Sequence, residues 1–200
     1  MIKNKIVKYY ARKDSNIALK VIPGHFVTNH SHLNYYLDMT TMKTRQNEAE
    51  RIAIAMKDYY NVMDKPIDTI VCLDGCEVIG AFLKTIYVVT PEFNSNGQMI
   101  FRDNLKPEIY GKNVLLLLAS ATTGKTVRNS IECIEYYGGI LQGISAIFSA
   151  VDSINGHRID ALFRADDIPN YEAFTHSDCP MCKEGKPVEA LVNGYGYSEI

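Results

Sequence analysis

The sequence predicts an α/β protein with a mostly parallel central sheet flanked by helices. Three observations carry that expectation. Apolar runs rich in β-branched residues alternate with helical patterns through the middle of the chain, as β-α-β units require. Val114-Leu115-Leu116-Leu117-Leu118-Ala119 is apolar without a break, so both of its faces must be covered, as in a central parallel strand. That run passes directly into Ser120-Ala121-Thr122-Thr123-Gly124-Lys125-Thr126 and a helix, and ligands of such sheets bind at strand-to-helix junctions.

In chain order, residues 1–40 carry no clear periodicity, only the aromatic pairs Tyr9-Tyr10 and Tyr35-Tyr36. From Thr44, Ala49, Ile52, Ala53, Met56 and Tyr60 recur at helical spacing. This helix should stop before Asp64-Lys65-Pro66, because proline disfavours a helical predecessor. Ile67–Leu73 reads as a strand ending in the turn signal Asp74-Gly75, and a helix follows from Glu77 to about Lys84. Ile86–Val89 is the next strand. Asn94-Ser95-Asn96-Gly97 is a hairpin turn, with Phe93 and Met99-Ile100-Phe101 beside it. After the 114–119 strand, Val127, Ile131, Ile134 and Tyr137 share one helical face that ends at Gly138-Gly139. Ile144–Val151 and Ile159–Phe163 complete the strands.

The chain has 200 residues, 46% hydrophobic and 22% charged, which is globular composition. A net charge of −2 with no basic run gives no nucleic-acid footprint. No stretch reaches the about 18 apolar residues of a membrane span, and no signal peptide is evident, so a cytoplasmic protein is expected. The five cysteines are an odd number, which suits thiols in a reducing compartment better than a disulfide scaffold.

The junction at 119–126 has the chemistry of a phosphate site. N–H groups at a helix start point outward and the helix dipole favours an anion. Gly124 permits close approach, Thr122, Thr123 and Thr126 offer hydroxyls, and Lys125 adds a point charge. A threonine-capped helix with nothing bound is the plain alternative. A P-loop needs a glycine where this chain has Ala119.

Residues 114–126 resemble the thirteen-residue phosphoribosyl-pyrophosphate (PRPP) motif of type I phosphoribosyltransferases, and the chain looks closest to the orotate branch. That motif runs four apolar residues, two acids, two mostly apolar residues, then a Thr-Thr-Gly-x-Thr-like loop. The resemblance spans about residues 25–190. It implies an N-terminal hood (1–42), an α/β core (43–165) and a C-terminal tail (166–200). It also implies that Thr122, Thr123, Gly124, Lys125 and Thr126 hold the 5′-phosphate of PRPP. Residues 71–82 resemble the family's pyrophosphate loop and helix, assigning Asp74, Gly75 and Cys76 to the pyrophosphate; a strand-turn-helix with Asp74 as a cap is the alternative. Ser31-His32-Leu33-Asn34-Tyr35-Tyr36-Leu37-Asp38 is similar to the Ser-Pro-Tyr-Tyr-x-Asp stretch of orotate enzymes. That likeness turns His32, Tyr35 and Tyr36 toward the base; an aromatic packing element is the alternative.

Two features depart from the family pattern. The acids that grip the ribose hydroxyls fall on Leu118 and Ala119, which accept no hydrogen bonds. The stretch 90–112, in place of the family's mobile loop, has Arg102, Lys106 and Lys112 but no histidine. The resemblance therefore implies one of two functions. One is transfer of ribose 5-phosphate from PRPP to a nitrogenous base with Mg2+, in a homodimer. The other is a non-catalytic nucleotide or phosphosugar binder.

Near the C-terminus, His176, Cys179 and Cys182 have the spacing of a zinc half-site. A fourth ligand is open among His157, Asp178, water and a partner chain. Free thiols or a redox pair are the alternatives. Cys-Pro-Met-Cys-Lys-Glu-Gly also resembles a tail found in some orotate phosphoribosyltransferases.

Overall fold

The apolar runs of the middle chain assemble into one sheet. The computed structural model describes residues 5–60, 66–83, 87–95 and 97–200. Its first elements are strands β1 (Val7–Tyr10), β2 (Ala18–Val27) and β3 (His32–Asp38), then helices α1 (Thr40–Thr44) and α2 (Gln46–Tyr60). Next come β4 (Thr69–Cys72), α3 (Glu77–Phe82), β5 (Tyr87–Val89) and the short hairpin β6 (Glu92–Phe93) and β7 (Met99–Ile100). They are followed by β8 (Asn113–Ala121), α4 (Lys125–Tyr136), β9 (Ile140–Ser149), β10 (Ser153–Ile154) and β11 (His157–Arg164). The chain closes with β12 (Ala173–Phe174), α5 (Pro180–Lys183), β13 (Ala190–Asn193) and β14 (Gly196–Glu199).

The core sheet has the order β10-β11-β9-β8-β4-β5. Every pairing in it is parallel except β10 with β11 at one edge. β8 lies inside the sheet, with Leu116 opposite Val71 on one side and Ile144 on the other. The alternation of side chains along a strand explains its unbroken apolarity. Leu115, Leu117 and Ala119 pack with Ala49, Ile52, Ala53 and Met56 of α2 and Ile79 of α3. Val114, Leu116, Leu118 and Ala121 pack with Val127, Ile131 and Ile134 of α4. Each leucine of β8 is at most 1% exposed, and burying such a side chain contributes about 1.5–3 kcal/mol.

The expected helix from Thr44 is α2, whose residues Ala49, Ile52, Ala53 and Met56 form its buried face. Its expected end at Asp64-Lys65-Pro66, like Lys84 and Ile86, touches positions outside the described residues. The hairpin expected around Asn94–Gly97 pairs Phe93 with Met99.

The irregular reading of residues 1–40 needs correction. β1, β2 and β3 form an antiparallel ribbon in a second sheet of order β12-β3-β2-β13-β14, with β1 on β2. Pro23-Gly24 inside β2 hides the strand, since that pair reads as a turn. It is accommodated by a break in register between Pro23 and Phe26. The C-terminal β13 joins the same sheet, parallel to β2, with Ala190 opposite Phe26. The second sheet thus draws on both ends of the chain.

Candidate functional site

β8 ends at Ala121 and α4 starts at Lys125, so Thr122, Thr123 and Gly124 make the whole turn between them. Gly124 has φ +73°, and a Cβ there would meet Ile154 Cδ1 at 2.2 Å. Glycine is therefore required twice, by backbone sign and by the β10 side chain packed on it. The N–H groups of Thr122 through Thr126 have no acceptor among the described residues, as expected of a first helical turn. They border a cavity of about 480 Å3 whose lining includes Thr122, Thr123, Gly124, Lys125 and Thr126. Such a turn can bind an anion through backbone dipoles, with Lys125, exposed at the rim, as the accompanying charge.

Strand alternation separates the two positions that depart from the acid pair. Ala119 lines the cavity, while Leu118 points the other way, into the core beneath α4. A carboxylate reaches this strand end from elsewhere. Asp74, at the end of β4, accepts hydrogen bonds from the backbone N–H groups of Ala119 and Ser120. It holds a left-handed φ of 56°, an uncommon state for a non-glycine residue that aspartate tolerates better than most. Burial pushes its carboxyl pKa up, against the opposing charge of Lys43 and those two amides.

Lys43, on α1, is 7% exposed. Its ammonium donates to the carbonyls of Asp74 and Gly194 and so ties the β4 turn to the β13–β14 turn. A Cβ on Gly194 would meet Asp74 Oδ1 at 2.3 Å; the two turns touch. Gly75 and Cys76 are not among the cavity's lining residues. Cys76 is fully buried in the core, and burial holds its thiol pKa well above the usual value. Lys43 and Gly194 were not legible as site residues, because a lone lysine in a short helix and a glycine in a tail carry no pattern.

The far wall comes from the second sheet. Of His32, Tyr35 and Tyr36, only Tyr36 lines the cavity. It is wedged between Phe26 and Tyr197, with ring centroids 5.9 and 5.2 Å away. Tyr35 stacks on Tyr171 at 6.5 Å; Tyr171 also lines the cavity, and its buried hydroxyl has no hydrogen-bond partner among the described residues. Thr28, Asn29 and His30 of the β2–β3 turn and Asn193 and Tyr195 of the β13–β14 turn complete this wall. Arg102 and Lys106, of the stretch that stands in place of the family's mobile loop, are paired with Glu92 and Asp103 and do not line the cavity.

His32 lies elsewhere. Its Nδ1 is 2.8 Å from His25 Nε2 and 3.4 Å from Cys182 Sγ. The expected trio of His176, Cys179 and Cys182 is thereby altered. The described group of converging donor atoms is His25, His32, Cys179 and Cys182. His176 instead sets its ring edge-on to His32 at 4.7 Å. Asp178 accepts from the Thr175 hydroxyl at 2.6 Å, and His157 lies on β11 in the other sheet.

No protein-family model matches the chain. It is similar to an orotate phosphoribosyltransferase from Thermus thermophilus, 26% identical over 177 residues, covering 86% of this chain and 93% of the relative. An orotate phosphoribosyltransferase from Caldicellulosiruptor bescii is 28% identical over 190 residues, covering 88% and 90%. Among solved structures, the Mycobacterium tuberculosis orotate phosphoribosyltransferase in complex with Fe(III) dicitrate superposes with a TM-score of 0.54 at 18% identity, covering 76% of this chain and 93% of that one. The Trypanosoma brucei adenine phosphoribosyl transferase in complex with AMP, pyrophosphate and ribose-5-phosphate gives 0.53 at 13% identity, covering 90% and 81%. The chain has the type I phosphoribosyltransferase fold and is orotate phosphoribosyltransferase-like in sequence.

Proposed function

We propose that this chain binds a 5′-phosphoribosyl ligand of the PRPP class and transfers its ribose 5-phosphate to a nitrogenous base, with orotate the first candidate. The observation that carries the reading is the amide turn Thr122–Thr126 opening onto the same cavity as Asp74 and Tyr36. The 5′-phosphate belongs at the turn, with Lys125 as its cation. The pyrophosphate side belongs to the Asp74 turn and the base to the wall of Tyr36 and Tyr171.

Mg2+ fits this site as an ion that travels with the diphosphate. Asp74 is the one carboxylate lining the cavity among the described residues, and two amides already hold it. Magnesium needs only one or two carboxylates when phosphates and waters supply the rest, and when bound it would neutralise charge on the departing pyrophosphate. Asp74 would serve as its protein ligand while Lys43 fixes the turn that presents it.

A second reading has its own observation. Ala119 in the cavity and Leu118 in the core leave the ribose without the family's acid pair. Each lost charged hydrogen bond forfeits about 1.5–3 kcal/mol, which favours a protein that binds phosphoribosyl ligands without turnover. Two assays separate the readings: pyrophosphate release from PRPP and Mg2+ across a panel of bases, and calorimetry with ribose 5-phosphate. Release with a base supports the transferase. Binding without release supports the sensor. Neither binding nor release rejects both.

Five free thiols suit the cytoplasm. The homodimer implied by the resemblance is supported by Val78, Tyr87 and Val88, which are exposed near the β5 edge of the core sheet. Sedimentation of the purified protein tests it.

A further inference from the structure

Outside the cavity's lining, four side chains converge that the transferase reading does not use. His25 comes from near the end of β2 and His32 from the start of β3. Cys179 immediately precedes α5, and Cys182 lies one turn further along it. The donor atoms all lie within 4.8 Å of one another. Cys179 Sγ is 3.6 Å and Cys182 Sγ 3.7 Å from His25 Nε2. Cys182 Sγ is 3.4 Å from His32 Nδ1, and the two imidazole nitrogens are 2.8 Å apart. Ligands placed tetrahedrally at ordinary Zn–N and Zn–S lengths stand about 3.3–3.8 Å apart. The sulfur–nitrogen distances already match that spacing.

The surroundings fix the histidine lone pair. His25 Nδ1 lies 2.9 Å from the Lys186 carbonyl oxygen. A carbonyl can only accept, so Nδ1 carries the proton and Nε2 directs its lone pair into the cluster. A backbone carbonyl oriented on the far nitrogen is the usual support of a metal-bound histidine. His25, His32 and Cys179 are at most 7% exposed, and both cysteines are free.

We propose that His25, His32, Cys179 and Cys182 form a tetrahedral Cys2His2 zinc site that clips the C-terminal segment to the β2–β3 hairpin. Binding releases the two thiol protons; the dication and two thiolates leave the site neutral, which suits the burial of His25, His32 and Cys179. No open position remains for water or substrate, so the role is structural. The clip lies just before β13, which pairs with β2, and the β13–β14 turn carries Gly194 against Asp74. The metal therefore also sets one wall of the cavity.

The test is metal analysis of the full chain, purified without chelator or polyhistidine tag from zinc-supplemented medium. We expect about one zinc per chain in wild type, a loss of at least tenfold in zinc content in Cys182→Ser, and no change in Cys133→Ser, whose thiol donates to the Met99 carbonyl far from the cluster. Should Cys182→Ser be insoluble, Co2+ added to metal-stripped wild type decides. Tetrahedral thiolate-bound cobalt absorption supports the site; its absence overturns it. Wild type free of zinc, or a Cys179–Cys182 disulfide in freshly isolated protein, overturns it as well. These readouts need no PRPP and so stand apart from the transferase assays.

Discussion

The Asp74 carboxylate, in the turn after β4, accepts a hydrogen bond from the backbone N–H of Ala119 in β8. The end of β8, where the family motif carries acids, thus receives a carboxylate from the end of β4. Ala119→Asp would put a second carboxylate against the first, and like charges at that range disfavour ionisation of both. We expect it to destabilise the fold by about 1–3 kcal/mol and not to raise turnover. Adding Asp74→Asn should recover about 1 kcal/mol or more of that loss. Denaturant melts of the four proteins in this cycle measure the coupling; strictly additive effects would contradict the contact.

Lys125 and Thr123 bear on the phosphate. Lys125→Ala should weaken ribose 5-phosphate binding about tenfold, the size of one charge-assisted contact. Thr123→Gly loosens the turn and should weaken it by a smaller factor. Both side chains are exposed, so thermal stability should hold within about 0.5 kcal/mol. Calorimetry paired with melting curves checks both halves. Unchanged binding in both variants removes the phosphate assignment.

Gly124→Ala tests the turn itself. A methyl group there must enter Ile154 while the backbone stays at positive φ. We expect a loss of about 1–3 kcal/mol. Gly124→Ala with Ile154→Ala should recover only the steric part, leaving the backbone cost of about 1 kcal/mol. Urea denaturation of both variants makes the comparison, and a neutral Gly124→Ala would contradict the packing.

Tyr36 predicts a pH dependence. Burial first, and the Asp38 carboxylate second, push its hydroxyl pKa from 10.0 up to about 12. The folded state therefore holds this proton more tightly than the unfolded chain. The corresponding stability is complete below pH 10 and is lost as pH rises toward 12. Across that window wild type should lose about 2–3 kcal/mol more than Tyr36→Phe, which has no proton to release. Denaturant melts at stepped alkaline pH show it; parallel losses in the two proteins would contradict the burial.

The sequence made the core legible where packing follows a simple period. Both-sided burial of β8 showed in six consecutive apolar residues from Val114, and the inward face of α2 in the spacing of Ala49, Ile52, Ala53 and Met56. The phosphate turn was legible because its chemistry is local. The second sheet was not, since β2 contains Pro23 and Gly24 and pairs with β13, some 165 residues later in the chain. Two of the cavity's groups escaped for the same reason: Lys43 and Gly194 meet the Asp74 turn only through tertiary structure. His25 and His32 likewise join Cys179 and Cys182 across about 150 residues, whereas His176 was singled out by nearness in sequence alone.

A crystal of the full chain soaked with PRPP and Mg2+ tests the central claim most directly. The account predicts the 5′-phosphate within hydrogen-bond reach of the Thr123–Thr126 amides, the diphosphate toward Asp74 and the vacant base position facing Tyr36. A ligand bound in another cavity, or a phosphate pointing toward Tyr36 with the turn unoccupied, would contradict it.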